Sequence, residues 1–299
     1  MTGRAPTRVI GHIRAGWLGP SNVTYRPEYL EILGISADDE FPIVEGPTGF
    51  VYAGWLPDEG FLRRLYNDAV DHARRTSETV AYRQWLLELA AGFLNLASPK
   101  AGERQLRLLD YGCGYGALLG MLSGRDVKGV GYEPSASRIE NARLGNNVEI
   151  LPDPGAVAQR GPFDLIMCTE VLEHVADPRS TLRFLRDNAA DDALLAFTVP
   201  NCSTAYVESS LKAAAAGAPL SMVFNPWEHL NYFSASSFRR MLSDEGFAVI
   251  TDFGRTRGAR AALDAIGQPS LPTVVVNGLR VTKRVLSTTP STELFCRCV

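Results

Sequence analysis

Apolar and polar positions run along this chain in two rhythms: short apolar runs that read as buried strands, and three-to-four-residue spacings that read as helices. From Ser77 to Leu96 the residues Tyr82, Trp85, Leu86, Leu89, Phe93 and Leu94 recur at helical spacing, and Pro99 ends the run. A buried strand follows, in which Leu106, Leu108 and Leu109 close on Asp110. After three alternating glycines, Leu118, Leu119, Met121 and Leu122 predict the start of a helix. The same rhythm then predicts a strand over 127–133, a helix over 135–143, strands over 147–151 and 163–168, a helix over 171–187 and a strand over 193–199. Strands alternating with helices at these lengths predict an α/β fold around a parallel sheet covered on both faces. Right-handed crossovers bring the carboxyl ends of its strands to one edge.

The flanks are less regular. Over residues 1–40 Pro, Gly and Asp interrupt every run, although Tyr29 to Gly34 reads as one helical turn closed by glycine. Phe41 to Glu45 and Phe50 to Trp55 predict two short strands joined by a glycine-proline turn. Ser203 to Leu220, with its alanine run at 213–216, predicts a helical insertion after the fifth strand and a candidate lid, or else an inert surface helix. Ser234 stands as an N-cap before Phe238, Met241 and Leu242, Gly246 as the stop, and 247–253 as a sixth strand. Arg255, Arg257, Arg260, Arg280, Lys283 and Arg284 face one acid, Asp264, and read as a solvated helix and loop or as a cradle for a phosphorylated substrate.

Composition narrows the function. The chain has 299 residues, 45% hydrophobic and 21% charged, enough for a large core and a small accessory unit. A net charge of −3 gives no electrostatic footprint for nucleic acid, so a small-molecule substrate is expected. Cys113, Cys168, Cys202, Cys296 and Cys298 lack CxxC spacing, which supports neither a disulfide framework nor a zinc ribbon. No apolar leader or membrane-length run is read in the sequence, which leads to the expectation of a cytoplasmic protein. Oligomeric state is not legible.

Asp110-Tyr111-Gly112-Cys113-Gly114-Tyr115-Gly116-Ala117 joins strand to helix. Glycines at this spacing let a ligand reach the main-chain amides, and the helix start presents free N–H groups. Gly112, Gly114 and Ala117 also satisfy the dinucleotide fingerprint. Asp110, at the end of the strand, would repel a pyrophosphate and hold a cation. Glu133 ends the second strand, where a carboxylate can accept both hydroxyls of a ribose. Phe163 to Thr169 then runs into Glu170-Val171-Leu172-Glu173-His174.

Together these motifs resemble the class I S-adenosylmethionine-dependent methyltransferases of the branch carrying DxGCGxG and EVLEH. The resemblance covers roughly residues 80–253 and implies a Rossmann-like, doubly wound seven-stranded sheet with an antiparallel last strand, here Glu293 to Val299. It divides the chain into a small N-terminal α+β extension over 1–76 and a catalytic domain over 77–299 with the insertion at 203–233. It implies that S-adenosylmethionine sits on Gly112, Gly114 and Gly116, with Asp110 answering its ammonium and Glu133 its ribose. Tyr111 or Tyr115 would pack beside it, Thr169 touch the methionyl end, and Asp153 read the adenine amino group.

Glu170, Glu173 and His174 fall at i, i+3 and i+4, which a helix would place on one face. With His229 they resemble the arrangement in small-RNA 3′-end 2′-O-methyltransferases and, in part, ubiquinone-pathway O-methyltransferases. That resemblance implies Mg²⁺ or another divalent cation on Glu170, Glu173, His174 and His229. Otherwise His174, His229 or Glu170 acts without metal, as proton acceptor or in orienting the substrate. The expected activity is O-methylation of a small hydroxylated molecule: a sugar, a nucleotide-linked sugar or a natural-product intermediate. An RNA 2′-O-methyltransferase, a non-catalytic cofactor-binding scaffold and an NAD-linked oxidoreductase are the alternatives.

Overall fold

The computed structural model describes residues 8–18, 26–70, 80–97, 105–122, 127–145, 149–252 and 291–298. The chain forms two compact units, one of residues 1–77, 172–181 and 199–241, the other of 78–171, 182–198 and 242–299. The basic stretch from Arg255 to Arg284 lies outside the described residues.

The larger unit holds the alternating rhythm. Its strands are β4 (Leu106–Tyr111), β5 (Val127–Tyr132), β6 (Ile150–Leu151), β7 (Phe163–Thr169), β8 (Ala189–Pro200), β10 (Phe247–Asp252) and β11 (Ser291–Cys298). They form one seven-stranded sheet in the order β10-β11-β8-β7-β4-β5-β6. From β6 to β8 the strands are parallel, while β10 and β11 pair antiparallel. This is the expected doubly wound sheet with its reversed last strand. Phe163 to Cys168 are buried at every position, as a central parallel strand covered on both faces requires. Leu108 of β4 lies opposite Leu165 of β7 and Gly129 of β5, and Leu89 and Phe93 of the helix Val80–Ala97 (α3) join the same core.

The smaller unit is built on a four-stranded antiparallel sheet, β1-β2-β3-β9: β1 (Arg8–Arg14), β2 (Glu40–Glu45), β3 (Val51–Ala53) and β9 (Asn231–Tyr232). The hairpin predicted at 41–55 is β2 and β3, and the turn at Tyr29–Leu33 (α1) closes on Gly34 at φ 71°. The insertion helix is Thr204–Ala215 (α8), capped by Ser203, whose side chain accepts from the Tyr206 amide. These residues and β9 belong to the same unit as residues 1–77. Its core is aromatic: fully buried Trp227 lies 5.5 Å from Phe41 and 6.2 Å from Tyr29 between ring centroids.

One predicted element differs. No helix runs from 171; β7 ends at Thr169, residues 170–177 turn, and the helix (α7) occupies Pro178–Asp187. Asp177 accepts from the Arg179 and Ser180 amides and Pro178 opens the helix, an N-cap and first-position pair that fixes its start.

Truncating the central ring of the smaller unit, Trp227→Ala, is expected to destabilise the protein by about 3–5 kcal/mol in chemical denaturation. A loss below about 1 kcal/mol would show that the aromatic cluster does not hold that unit together.

Candidate active site

The loop after β4 takes its shape from positive-φ glycines, Gly112 (φ 77°), Gly114 (φ 55°) and Gly116 (φ 70°), before the helix Ala117–Leu122 (α4). A side chain at Gly112 would collide with Val171, whereas the space in front of Gly114 is open to 4 Å. The first glycine is therefore required by packing, and the second keeps a surface clear for a ligand. The amides of Gly112 and Cys113 both donate to the Tyr132 carbonyl, at 2.8 and 3.0 Å, which ties the loop to the end of β5.

Asp110 and Gly131 are paired across β4 and β5, so both strands deliver their last residues to the same edge. Asp110 is 4% exposed, and burial, reinforced by the charge on Glu133, pushes its carboxyl up to about 7. Glu133 is 3% exposed and better provided for: it accepts from the Gly114 amide at 3.1 Å and the Ser135 amide at 2.9 Å, with Arg138 at 3.6 Å. A carboxylate offers about four lone-pair sites, so capacity for a hydroxyl pair remains. Two buried acids beside an open glycine surface fit a cationic nucleoside and do not fit a pyrophosphate.

Tyr111 is buried and stacks on Tyr132 at 4.5 Å, with Phe184 at 5.8 Å. Asp153 caps the short helix Pro154–Ala158 (α6), accepting from the Ala156 amide at 2.7 Å. Thr169 ends β7 opposite Thr198. Glu170 has φ 54°, a left-handed conformation that a residue with a side chain seldom adopts, and its amide reaches the Thr198 carbonyl (3.0 Å) and hydroxyl (3.1 Å). That turn removes the helical face on which Glu170, Glu173 and His174 were expected to align.

In the smaller unit Glu173, His174 and His229 nevertheless converge, with one ligand atom from each lying within 4.8 Å of the others. Glu170 is not in this set. The imidazoles meet edge to face at 4.6 Å, and His174 Nε2 lies 3.9 Å from Glu173 Oε1. His174 Nδ1 lies 2.8 Å from the Glu228 carbonyl and His229 Nδ1 2.9 Å from the Val223 carbonyl. A carbonyl can only accept, so each Nδ1 carries the hydrogen, and in the neutral ring Nε2 keeps its lone pair. Two imidazoles clustered with a buried carboxylate can take a proton or bind a divalent cation. Asn225 and Asn231, which organise this segment, carried no signal in spacing or motif.

Residues 81–252, more than half of the chain, match the family described as methyltransferase domain, and the chain belongs to that family. It is 32% identical over 139 residues to a ubiquinone biosynthesis O-methyltransferase of Escherichia coli, across 40% of this chain and 57% of that protein. A protein of the same name in Ralstonia nicotianae is 34% identical over 103 residues, 32% of this chain and 42% of that protein. The chain thus spans less than two thirds of the length of these relatives. The structure of plantazolicin methyltransferase BpumL in complex with SAH superposes with a TM-score of 0.53 at 16% identity, covering 79% of this chain and 93% of that one, and shares the fold. The sheet, its glycine loop and the family match identify a class I S-adenosylmethionine-dependent methyltransferase domain.

Because ligand-free Asp110 titrates near 7, a cation that favours its ionised form must displace a proton at lower pH. S-adenosylmethionine affinity is expected to fall as pH drops below 7, approaching about tenfold per unit, with proton release in calorimetry. The folded carboxyl also titrates above its unfolded value of 3.8, so this group stabilises the free protein progressively as pH falls from 7 toward 4. Asp110→Asn should abolish the pH dependence of binding; an unchanged profile would remove Asp110 from the site. Gly112→Ala, which meets Val171 and an unfavourable φ, should weaken cofactor binding at least about tenfold in the same assay. Wild-type affinity in that variant would show that the loop adapts.

Proposed function

We propose that this protein transfers the methyl group of S-adenosylmethionine to an oxygen of a small hydroxylated molecule, such as a sugar, a nucleotide-linked sugar or a natural-product intermediate. The bound sulfonium would supply an activated methyl group, so the chain needs no covalent intermediate of its own. Its tasks are to hold the donor, orient the acceptor and accept a proton. Gly112, Gly114 and Gly116 let the donor approach the backbone, Asp110 answers its positive charge, and Glu133 receives the ribose hydroxyls. Thr169 and Tyr111 flank the donor, and Asp153 reaches toward the adenine. Residues 203–233 contribute to acceptor binding.

The observation that carries the choice of oxygen is the pair of imidazoles clustered with Glu173, each with its Nδ1 hydrogen directed to a backbone carbonyl. A hydroxyl is a poor nucleophile until its proton is drawn away, and neutral Nε2 is a suitable acceptor. The ubiquinone biosynthesis O-methyltransferases among the relatives support the same choice. The clustering of Glu173, His174 and His229 favours a second version, in which these residues hold Mg²⁺ or Mn²⁺ and the cation lowers the acceptor's pKa. The net charge of −3 speaks against RNA as acceptor.

Calorimetry with S-adenosylmethionine and NADH, followed by a metabolite screen with labelled methyl donor, tests this reading. Binding of the first ligand alone, weakened more by Glu133→Ala than by His229→Ala, and label appearing as a methyl ether are the expected results. Tighter NADH binding, or label appearing on nitrogen or carbon, would overturn it. Loss of turnover in EDTA with recovery in Mg²⁺ or Mn²⁺ would select the cation version, and turnover unaffected by EDTA would exclude it.

A further inference from the structure

We infer that Asn231 is a positioning residue, whose side-chain amide holds the turn carrying Glu173 and His174 in the geometry that directs the His174 Nδ1 hydrogen to the Glu228 carbonyl. The inference rests on the reading that His174 serves the methyl acceptor. Asn231 is 2% exposed and donates from Nδ2 to two carbonyls, Leu172 at 2.9 Å and Val175 at 2.8 Å. These acceptors stand on either side of Glu173 and His174. The backbone amides of Leu230 and Asn231 both reach the Glu173 carbonyl, at 2.6 and 3.0 Å, so two consecutive residues grip the turn along its length.

The chemistry of the amide matters because of what it replaces. In a continuous helix the Val175 carbonyl would accept from the Arg179 amide four residues on, but that amide donates to Asp177 Oδ1. Asn231 supplies a donor in its place, so the turn satisfies its carbonyl without winding into a helix. The His174 Nδ1 hydrogen then meets the Glu228 carbonyl, three residues before Asn231 in the same segment. One short stretch, 228–231, therefore fixes both the path of the turn and the tautomer of its imidazole. His229 lies in the same stretch and against the His174 ring, but its Nδ1 hydrogen goes to the Val223 carbonyl outside it, which makes its tautomer the internal control.

The test is ¹⁵N NMR of the histidine side chains in the full chain at pH 8, in wild type, Asn231→Ala and the near-isosteric Asn231→Asp, with SAH affinity measured alongside. The wild type should show His174 and His229 each as a single Nδ1–H form. Both variants should turn His174 into a mixture of tautomers, leave His229 unchanged and keep SAH affinity within about twofold. A wild-type His174 spectrum in the variants would overturn the inference. Loss of both histidine signatures together with SAH binding would also overturn it, by reducing Asn231 to a general structural role. If Asn231→Ala does not fold, Asn231→Asp decides by the same criteria. If that variant also fails while the wild type folds, the role is structural and the inference falls. A wild type that does not bind SAH would instead refute the proposed function, and the histidine comparison would still be read.

Discussion

Two carboxylates shielded from water, Asp110 and Glu133, set the terms on which this protein can bind anything at the edge of its large sheet. Strand pairing makes them neighbours: Asp110 is held opposite Gly131, and Glu133 follows two residues later. Backbone amides and Arg138 answer Glu133. Asp110 is left with burial and its neighbour's charge, and its carboxyl holds a proton near neutrality. An incoming cation relieves both penalties, whereas a pyrophosphate adds to them. The glycine spacing fits both classes of cofactor, so the discrimination resides in electrostatics that the loop pattern does not encode.

The acceptor chemistry proposed for this protein rests on a different physical device. His174 and His229 are fixed by carbonyls of Glu228 and Val223, which constrain the tautomer without adding charge. A carboxylate partner on Nδ1 would raise the basicity of the ring; a carbonyl mainly orients it. Glu173 is the one acidic side chain in the cluster, buried at 1% exposure. The same donor set suits a proton or a divalent cation.

The alternating strands and helices were legible because parallel strands covered on both faces are apolar at nearly every position, as 163–168 show, and because Gly34, Ser234 and Gly246 mark their turns and caps locally. Strand β1 was not legible. Its register shifts between Val9 and Gly11, its burial alternates poorly, and its partner lies some thirty residues away. The pairing of Val51 and Tyr52 with Tyr232 and Asn231 is equally non-local, and no local pattern announces it. In the site, residue types pointed to the acids, the glycines and the histidines. The roles of Asn225 and Asn231 depend on which carbonyls the fold brings within reach, and no spacing announces that.

At residue 171 a turn stands where the sequence pattern predicts a helix. Glu-Val-Leu-Glu-His has ordinary helical potential, and what stops it is only partly within it: the left-handed backbone of its first residue, Glu170, then Asp177 and Pro178 after it, and Asn231 far along the chain. Holding a side-chain-bearing residue at φ 54° costs on the order of 1–3 kcal/mol, which the surrounding hydrogen bonds must offset. Local preference and observed structure disagree here at the residues with the most chemistry to offer, as expected where a segment is shaped for a site rather than for its own stability. A helix from Glu170 would align Glu170, Glu173 and His174 on one face. The turn instead brings Glu173 and His174 to His229 and leaves Glu170 beside Thr198, a different set of reactive groups from the same five residues.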